Sequence, residues 1–390
     1  MSSRDPSLSL PEPPADLQAL SAQLCTKIVN EIEAGGPMPF DRYMAMALYE
    51  PGLGYYVNGL HKFGAAGDFI TAPEQGSLFA QCFARQIDAL PTELGGDTIL
   101  ELGAGSGALA HDLLLALDRL PDRYLILEPS AALRQVQQER LAALPLDLAG
   151  RVEWIAAPPD LDYNGVILAN EVLDALPVAA FQIEQGEVHS RCVQIDKGRL
   201  TWGLQPAEPR LQSAVETLQT ELGRSLPDGY ASEINLNLSP WLREITGHLR
   251  AGLVLLIDYG YPRQEFYHPD RSEGTLVSHY RHRAHFDPFV WPGLTDLSTF
   301  VDFTAVAEAG SEAGLDVLGF SSQAGFLLSL GIQEAMNDLS DDRQRLRLAG
   351  EIKRLTLPSE MGEKFKVIAL GRDFHPPLQG FALMDQLGRL

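Results

Sequence analysis

The residues best suited to chemistry fall in three short runs. The first is Glu101-Leu-Gly-Ala-Gly-Ser-Gly107, an acid followed by glycines at alternate positions. The second is Glu128-Pro129-Ser130, whose acid closes the apolar run that begins at Tyr124. The third is Asn170-Glu171-Val-Leu-Asp174, an amide and two carboxylates in five residues. Gly103, Gly105 and Gly107 permit tight turning and close approach of backbone to a ligand. An acid such as Glu128 can accept hydrogen bonds from both hydroxyls of a ribose. Paired carboxylates can orient a cationic group through N–H···O bonds and receive its proton.

These runs need rigid elements to bring them together. Thr98 to Leu102 reads as a buried parallel strand, and Leu109, Leu113, Leu114 and Leu117 after the glycines carry helical spacing. Strand, glycine turn and helix form the place where a doubly wound sheet receives a nucleotide-like ligand, with unpaired N–H groups at the helix start. Gly103, Gly105 and Ala108 also satisfy the dinucleotide pattern, so these residues leave NAD and S-adenosylmethionine both open. A strand at Arg151–Ile155 carries Trp154, either a core residue or a wall for adenine. A strand at Gly165–Ala169 delivers Asn170, Glu171 and Asp174 to its carboxyl end, where they face a ligand crevice or cap a following helix. Leu253 to Asp258 continues the sheet, and Leu315–Phe320 and Phe365–Leu370 close it. Only one glycine-turn half is present, which favours a methyltransferase-type sheet over that of a nicotinamide enzyme.

The remaining segments are additions to that sheet. Residues 1–15 are a proline-rich, flexible tail, and residues 16–92 form an N-terminal helical and lid region. Leu20, Leu24, Ile28 and Ile32 share one helical face there, and a second short helix follows from Phe40 to Leu48. The stretch Gly67-Asp68-Phe69-Ile-Thr71-Ala-Pro73-Glu74 reads either as a surface loop pinned to the domain by its aromatics or as an ordered lid with Asp68, Thr71 and Glu74 facing the ligand. Residues 93–371 form the main domain, with an insertion at 178–250 and an irregular loop at 262–300. Turns at Gln185-Gly186 and Lys197-Gly198 mark the insertion as a β-hairpin with a third strand, followed by a helix with Leu211, Val215, Leu218 and Leu222 on one stripe. His268, His279, His282 and His285 share the loop, but their spacing supports no metal site.

Bulk properties narrow the class further. A 390-residue chain with 45% hydrophobic and 21% charged residues is long enough for a large core. A formal net charge of −22 works against nonspecific binding to nucleic acid or to an anionic membrane. Cys25, Cys82 and Cys192 have neither disulfide-framework nor zinc spacing, and no apolar run is long enough to span a bilayer. The cytoplasm is the expected location.

Together the motifs resemble the MidA family of class I S-adenosylmethionine-dependent methyltransferases. The resemblance rests on Tyr43-Met, Ala47–Pro51, Gly54-Tyr-Tyr56 and Gly67–Glu74 in the N-terminal part. It continues through Glu101–Gly107, Glu128–Ser130 and Ala169–Pro177, then Ile257–Tyr261, Val301-Asp-Phe303, Met361-Gly and Phe365–Val367. It implies a Rossmann-like fold and S-adenosyl-L-methionine as cofactor. Gly103, Ala104, Gly105 and Gly107 would then contact the methionine and ribose portion, with Glu101 at the amino-acid end and Glu128 and Pro129 at the ribose. Trp154 would stand at the adenine, and Asp68, Phe69, Thr71 and Pro73 would form the lid. Asn170, Glu171 and Asp174 would face the methyl acceptor, with Asp258 as a weaker candidate. Mitochondrial members methylate protein arginine and assist assembly of respiratory complex I, so a protein substrate is the expectation. A small-molecule O- or carboxyl-methyltransferase using a lone carboxylate or His285 as base, and an assembly factor without turnover, are the alternatives.

Overall fold

A computed structural model describes residues 10–60, 71–95, 97–337 and 341–390. The chain divides into two compact units, each assembled from separate stretches. One comprises residues 70–176, 236–271 and 300–390; the other comprises 1–69, 177–235 and 272–299.

The larger unit is built on a sheet of eight strands among the described residues. Its main strands are β1 (Thr98–Leu102), β2 (Arg123–Leu127), β3 (Val152–Ile155), β4 (Tyr163–Asn170), β5 (Leu249–Tyr261), β6 (Asp316–Ser322) and β7 (Phe365–Arg372). They lie in the order β6-β7-β5-β4-β1-β2-β3, and Val301–Asp302 adds a short parallel pairing to the end of β5. From β5 across to β3 every pairing is parallel, whereas β7 runs antiparallel to both β5 and β6. Chain direction across the sheet reverses beside β1, because β2 lies on one side of it and β4 on the other. The crevice beyond the carboxyl ends of β1 and β4 is therefore a switch point of a doubly wound sheet.

The apolar runs in these strands follow from burial on both faces. Ile99, Val166, Leu168, Leu253, Leu255 and Ile257 pack into one core with Phe79, Phe83, Leu109 and Leu113. The alternate residues Leu100, Ile167, Ala169, Val254 and Leu256 pack into a second core with Leu242, Ile245, Phe303 and Val306. The helices α1 (Leu78–Asp88) and α2 (Ala108–Ala116) thus cover the first face. Helix α3 (Ala131–Leu141) follows β2 and contributes Leu141 to the first core.

At the opposite, amino-terminal side of the sheet, Thr98, Gly165 and Gly252 form a row across β1, β4 and β5. Gly165 has φ +158° and Gly252 φ +156°. A Cβ on Gly165 would lie 1.9 Å from the Thr98 carbonyl oxygen, and one on Gly252 would lie 2.0 Å from that of Gly165. No side chain fits in either place.

The smaller unit begins with helices Ala15–Gly35 and Phe40–Tyr49. Leu24, Ile28 and Ile32 are buried as their spacing requires. The expected hairpin is present as antiparallel strands Ala179–Glu184, Glu187–Asp196 and Arg199–Pro206, joined by Met38–Pro39 and Ala231–Ile234 in a five-stranded sheet. Gln185-Gly186 and Lys197-Gly198 turn with positive φ at both positions, the geometry that matches strand twist.

The structure corrects two features of the expected domain plan. First, helix α1 belongs to the sheet unit and not to an N-terminal region, because Phe79, Phe83 and Ile87 are part of its core. The N-terminal helices group instead with the hairpin insertion. Second, residues 262–300 are not an irregular loop. Val277–Tyr280, Arg283–His285 and Asp296–Ser298 form a three-stranded antiparallel sheet, and Arg263–Phe266 is a short helix. The turn at Arg281-His282, with φ of 49° and 60°, lacks the glycine that makes such turns readable. Tyr56 donates to Asp296 at 2.9 Å and Tyr43 to the Pro288 carbonyl at 2.6 Å, tying this sheet to the N-terminal segment.

Candidate functional site

All three chemical runs reach the carboxyl edge of the larger sheet. Gly103, Gly105 and Gly107 have φ of 61°, 54° and 80°, so the chain turns left-handed at alternate residues directly after β1. The Gly103 N–H bonds the Leu127 carbonyl at 3.1 Å, which ties the turn to the end of β2. Gly103 is exposed and Ala104 is buried. Gly107 occupies the N-cap of α2 and no side chain caps that helix. Its first N–H groups thus form a place for the electron-rich part of a ligand.

Two buried acids flank the turn. Glu101, in β1, accepts from the Tyr124 hydroxyl at 2.7 Å. Burial pushes its carboxyl up to about 7, against the pull of Tyr124 and with help from nearby Glu128. Glu128 accepts the Ser130 N–H at 2.9 Å on one oxygen and the Gln137 amide at 3.1 Å on the other. Burial raises its proton affinity, while Ser130, Gln137 and Arg134 oppose the rise. A carboxylate oxygen accepts two hydrogen bonds, so each oxygen retains one acceptor position, which suits a vicinal diol. Pro129 beside it is exposed.

Trp154 is half-buried, and its indole donates to Gln137 Oε1 at 2.9 Å. It therefore meets the site through Gln137. The Gln137 amide also donates to the Gly105 carbonyl at 3.0 Å. Gln137 was absent from the residues singled out by sequence. The available signal was its position on the buried stripe Leu133, Gln137, Leu141 of α3, where a polar residue is out of pattern.

The third run forms an acidic cluster. Asn170 ends β4, and its amide donates to Glu171 at 3.0 Å. Glu171 has φ +54°, and its N–H bonds the Ile257 carbonyl at 2.8 Å. That left-handed residue stops any helix, and Glu171–Leu176 is a series of bends and turns. The helix-capping alternative for Asn170, Glu171 and Asp174 is thereby excluded. Burial pushes Glu171 up to about 8, with Asp174 as the second cause; its hydrogen bonds to Asn170 and to the Ala72 backbone act the other way.

Asp174 is buried and accepts from the Tyr259 hydroxyl at 2.7 Å. Asp258 accepts the N–H groups of Leu173 at 2.9 Å, Asp174 at 3.1 Å and Tyr259 at 2.8 Å. Its fully buried carboxyl pins the 171–174 turn to the end of β5, a positioning role. Burial raises the proton affinity of Asp174 and Asp258 alike, and Asp174 and Glu171 both raise that of Asp258. The buried Oδ1 atoms of Asn170 and Asp174 make no hydrogen bond among the described residues. Both are acceptors, so a group bringing N–H or O–H donors would satisfy them. Tyr259 is held edge-on by Phe300 and Phe365, at centroid separations of 5.2 and 5.5 Å.

Of the expected lid, Asp68 and Phe69 lie outside the described residues. Thr71 and Pro73 are half-buried in the turn that follows. Ala72 reaches the Glu171 carboxyl through its backbone N–H. Glu74 bonds the Ser106 hydroxyl and pairs with Arg140 at 3.1 Å. Residues 72–74 therefore run from the acidic cluster to the glycine turn. His285 lies in the other unit, with its proton affinity lowered by burial. Among the described residues no group of three His, Cys, Asp or Glu side chains could hold a metal ion. No helix among them is long and apolar enough to cross a membrane.

Known proteins share both sequence and fold with this chain. Residues 78–321 match the family model described as "Putative S-adenosyl-L-methionine-dependent methyltransferase". A superfamily member from Burkholderia thailandensis, crystallised with S-adenosyl-homocysteine bound, is 40% identical with a TM-score of 0.92. That likeness covers 98% of this chain and 100% of the other. Among curated proteins, the mitochondrial protein arginine methyltransferase NDUFAF7 homolog of Drosophila melanogaster is 26% identical, covering 94% of this chain and 89% of its own. The Homo sapiens protein arginine methyltransferase NDUFAF7 is 27% identical, covering 90% and 84%.

Proposed function

The chain belongs to the MidA family of S-adenosyl-L-methionine-dependent methyltransferases, and from that premise we propose that it methylates arginine on a protein partner. The observation that carries the arginine reading is the acidic cluster of Glu171, Asp174 and Asp258, with buried acceptors on Asn170 and Asp174 that call for donors. A guanidinium brings five N–H donors and a positive charge. The names of the Drosophila and human relatives support the same reading. A respiratory-complex subunit as partner, and a cytoplasmic location, are parts of the proposal that rest on the sequence.

The glycine turn after β1 and the uncapped start of α2 would hold the methionine portion of the cofactor, and Glu128 its ribose. When bound, the cofactor supplies a methyl carbon on a positively charged sulfur, open to in-line displacement. Glu171 and Asp174 would accept N–H bonds from the guanidinium and turn one nitrogen toward that carbon. The nitrogen lone pair forms the new N–C bond as the S–C bond breaks and leaves its electron pair on sulfur. The positive guanidinium beside it favours the ionised form of Glu171, whose proton leaves to solvent as the substrate binds. Glu171 then takes the proton that the methylated nitrogen loses, so product and substrate guanidinium carry the same charge. Asp258, fully occupied by backbone N–H groups, keeps the turn in place.

The test is transfer of labelled methyl from S-adenosyl-L-methionine into extract of cells lacking this protein, with Gly103→Val as control. Label in a protein band, released by acid hydrolysis as methylarginine, is the expected result. Label confined to small molecules would overturn the arginine reading, and methyl-lysine in the hydrolysate would do the same.

A further inference from the structure

We propose that Gln137 is a positioning residue for the adenosine end of the cofactor, locked by Trp154 so that it aims the Glu128 carboxylate at the ribose hydroxyls. The proposal is independent of which group receives the methyl.

Three hydrogen bonds fix the side chain. Trp154 donates to Oε1 at 2.9 Å, while Nε2 donates to the Gly105 carbonyl at 3.0 Å and to Glu128 Oε2 at 3.1 Å. An indole N–H can only donate, and a carbonyl or carboxylate oxygen can only accept. The reversed amide would therefore set oxygen against two oxygens and N–H against N–H. Only one orientation works, and Gln137 is wholly buried in it. The residue thus joins the end of β3, helix α3, the end of β2 and the glycine turn. These are the parts that must hold their spacing if backbone and carboxylate are to grip one ligand.

Glu128 needs this support. It must be ionised to accept from both ribose hydroxyls, yet burial favours its protonated form. The opposing groups are Arg134 and Gln137 on α3 and the Ser130 N–H. The Tyr124 hydroxyl on β2 is committed to Glu101. Removing the Gln137 donor should raise the proton affinity of Glu128. The loss of cofactor binding on acidification would then begin at a higher pH.

The experiment is calorimetric titration of the full chain with S-adenosylhomocysteine between about pH 5.5 and 8.5, for wild type, Gln137→Leu and Trp154→Phe. The 2′,3′-dideoxy analogue of the same ligand serves as second probe. Gln137→Leu should weaken S-adenosylhomocysteine roughly ten-fold or more at high pH. Its affinity should also fall away at a higher pH than in wild type, while the dideoxy analogue, which Glu128 cannot grip, loses less. Trp154→Phe should move both quantities in the same direction by less, and it carries the test if Gln137→Leu does not fold. Unchanged affinity and pH dependence would overturn the proposal. So would equal losses for the two ligands, which would mark Gln137 as packing only.

Discussion

Glu171 holds its proton to about pH 8, chiefly because the fold buries it and secondly because Asp174 is near. An unfolded glutamate releases its proton near 4.5. Between those values the folded chain binds the proton more tightly than the unfolded chain, so this group makes stability fall as pH rises. Below the lower value it contributes nothing, and above the upper one its penalty is constant. Melting curves of the ligand-free protein should show its share as on the order of 2 °C of the loss from pH 5 to pH 8.5. The same comparison in Glu171→Gln should therefore show a smaller loss, the remainder coming from Glu101, Asp174 and Asp258. The same substitution should lower kcat about a hundred-fold while shifting the dissociation constant of S-adenosylhomocysteine less than about three-fold. Equal losses in both would remove Glu171 from the acceptor side. Glu128 and Asp258 were legible in the sequence because each ends an apolar run, and Glu171 because it follows such a run by one residue. Gln137 and Tyr259 were not singled out, since their importance comes from partners on other elements.

At the scale of elements, the turn after β1 depends on backbone that side chains resist. Gly107 has φ +80°, and a Cβ there would lie 3.3 Å from Gln137 Cα. Gly107→Ala should cost about 1–2 kcal/mol of stability and weaken S-adenosylhomocysteine by pressing α2 away from α3, both measurable by denaturant titration and calorimetry. Gly103→Val should abolish binding and leave the circular dichroism of the sheet intact. The strands themselves were readable because burial on both faces leaves continuous apolar runs. The glycine-marked hairpin turns were readable for their chemistry. The bend at Glu171 was not, because a tertiary bond to the Ile257 carbonyl holds its positive φ. The small sheet at 277–298 was equally hidden, its tight turn made by Arg281 and His282.

For the whole molecule, the sequence shows the sheet but not the partition of the chain into units. Each unit draws on three separated stretches, and such grouping depends on contacts that no local pattern records. Hydrogen exchange should report the site in that setting. S-adenosylhomocysteine should slow exchange in residues 101–107, 128–137 and 170–174 of the larger unit, three stretches far apart in the chain. Protection confined to the smaller unit would contradict the site.

Stability and chemistry occupy opposite ends of the same strands. At the amino-terminal side, Gly165→Ala would drive a methyl group into the Thr98 carbonyl, and a loss above about 3 kcal/mol is expected in denaturant titration. At the carboxyl edge, the groups that face ligand sit on turns outside the close-packed row. Heritable change can therefore accumulate at that edge with little risk to folding. A lineage can exchange one methylated target for another while passing on the same sheet, and the glycine row is what leaves it free to do so.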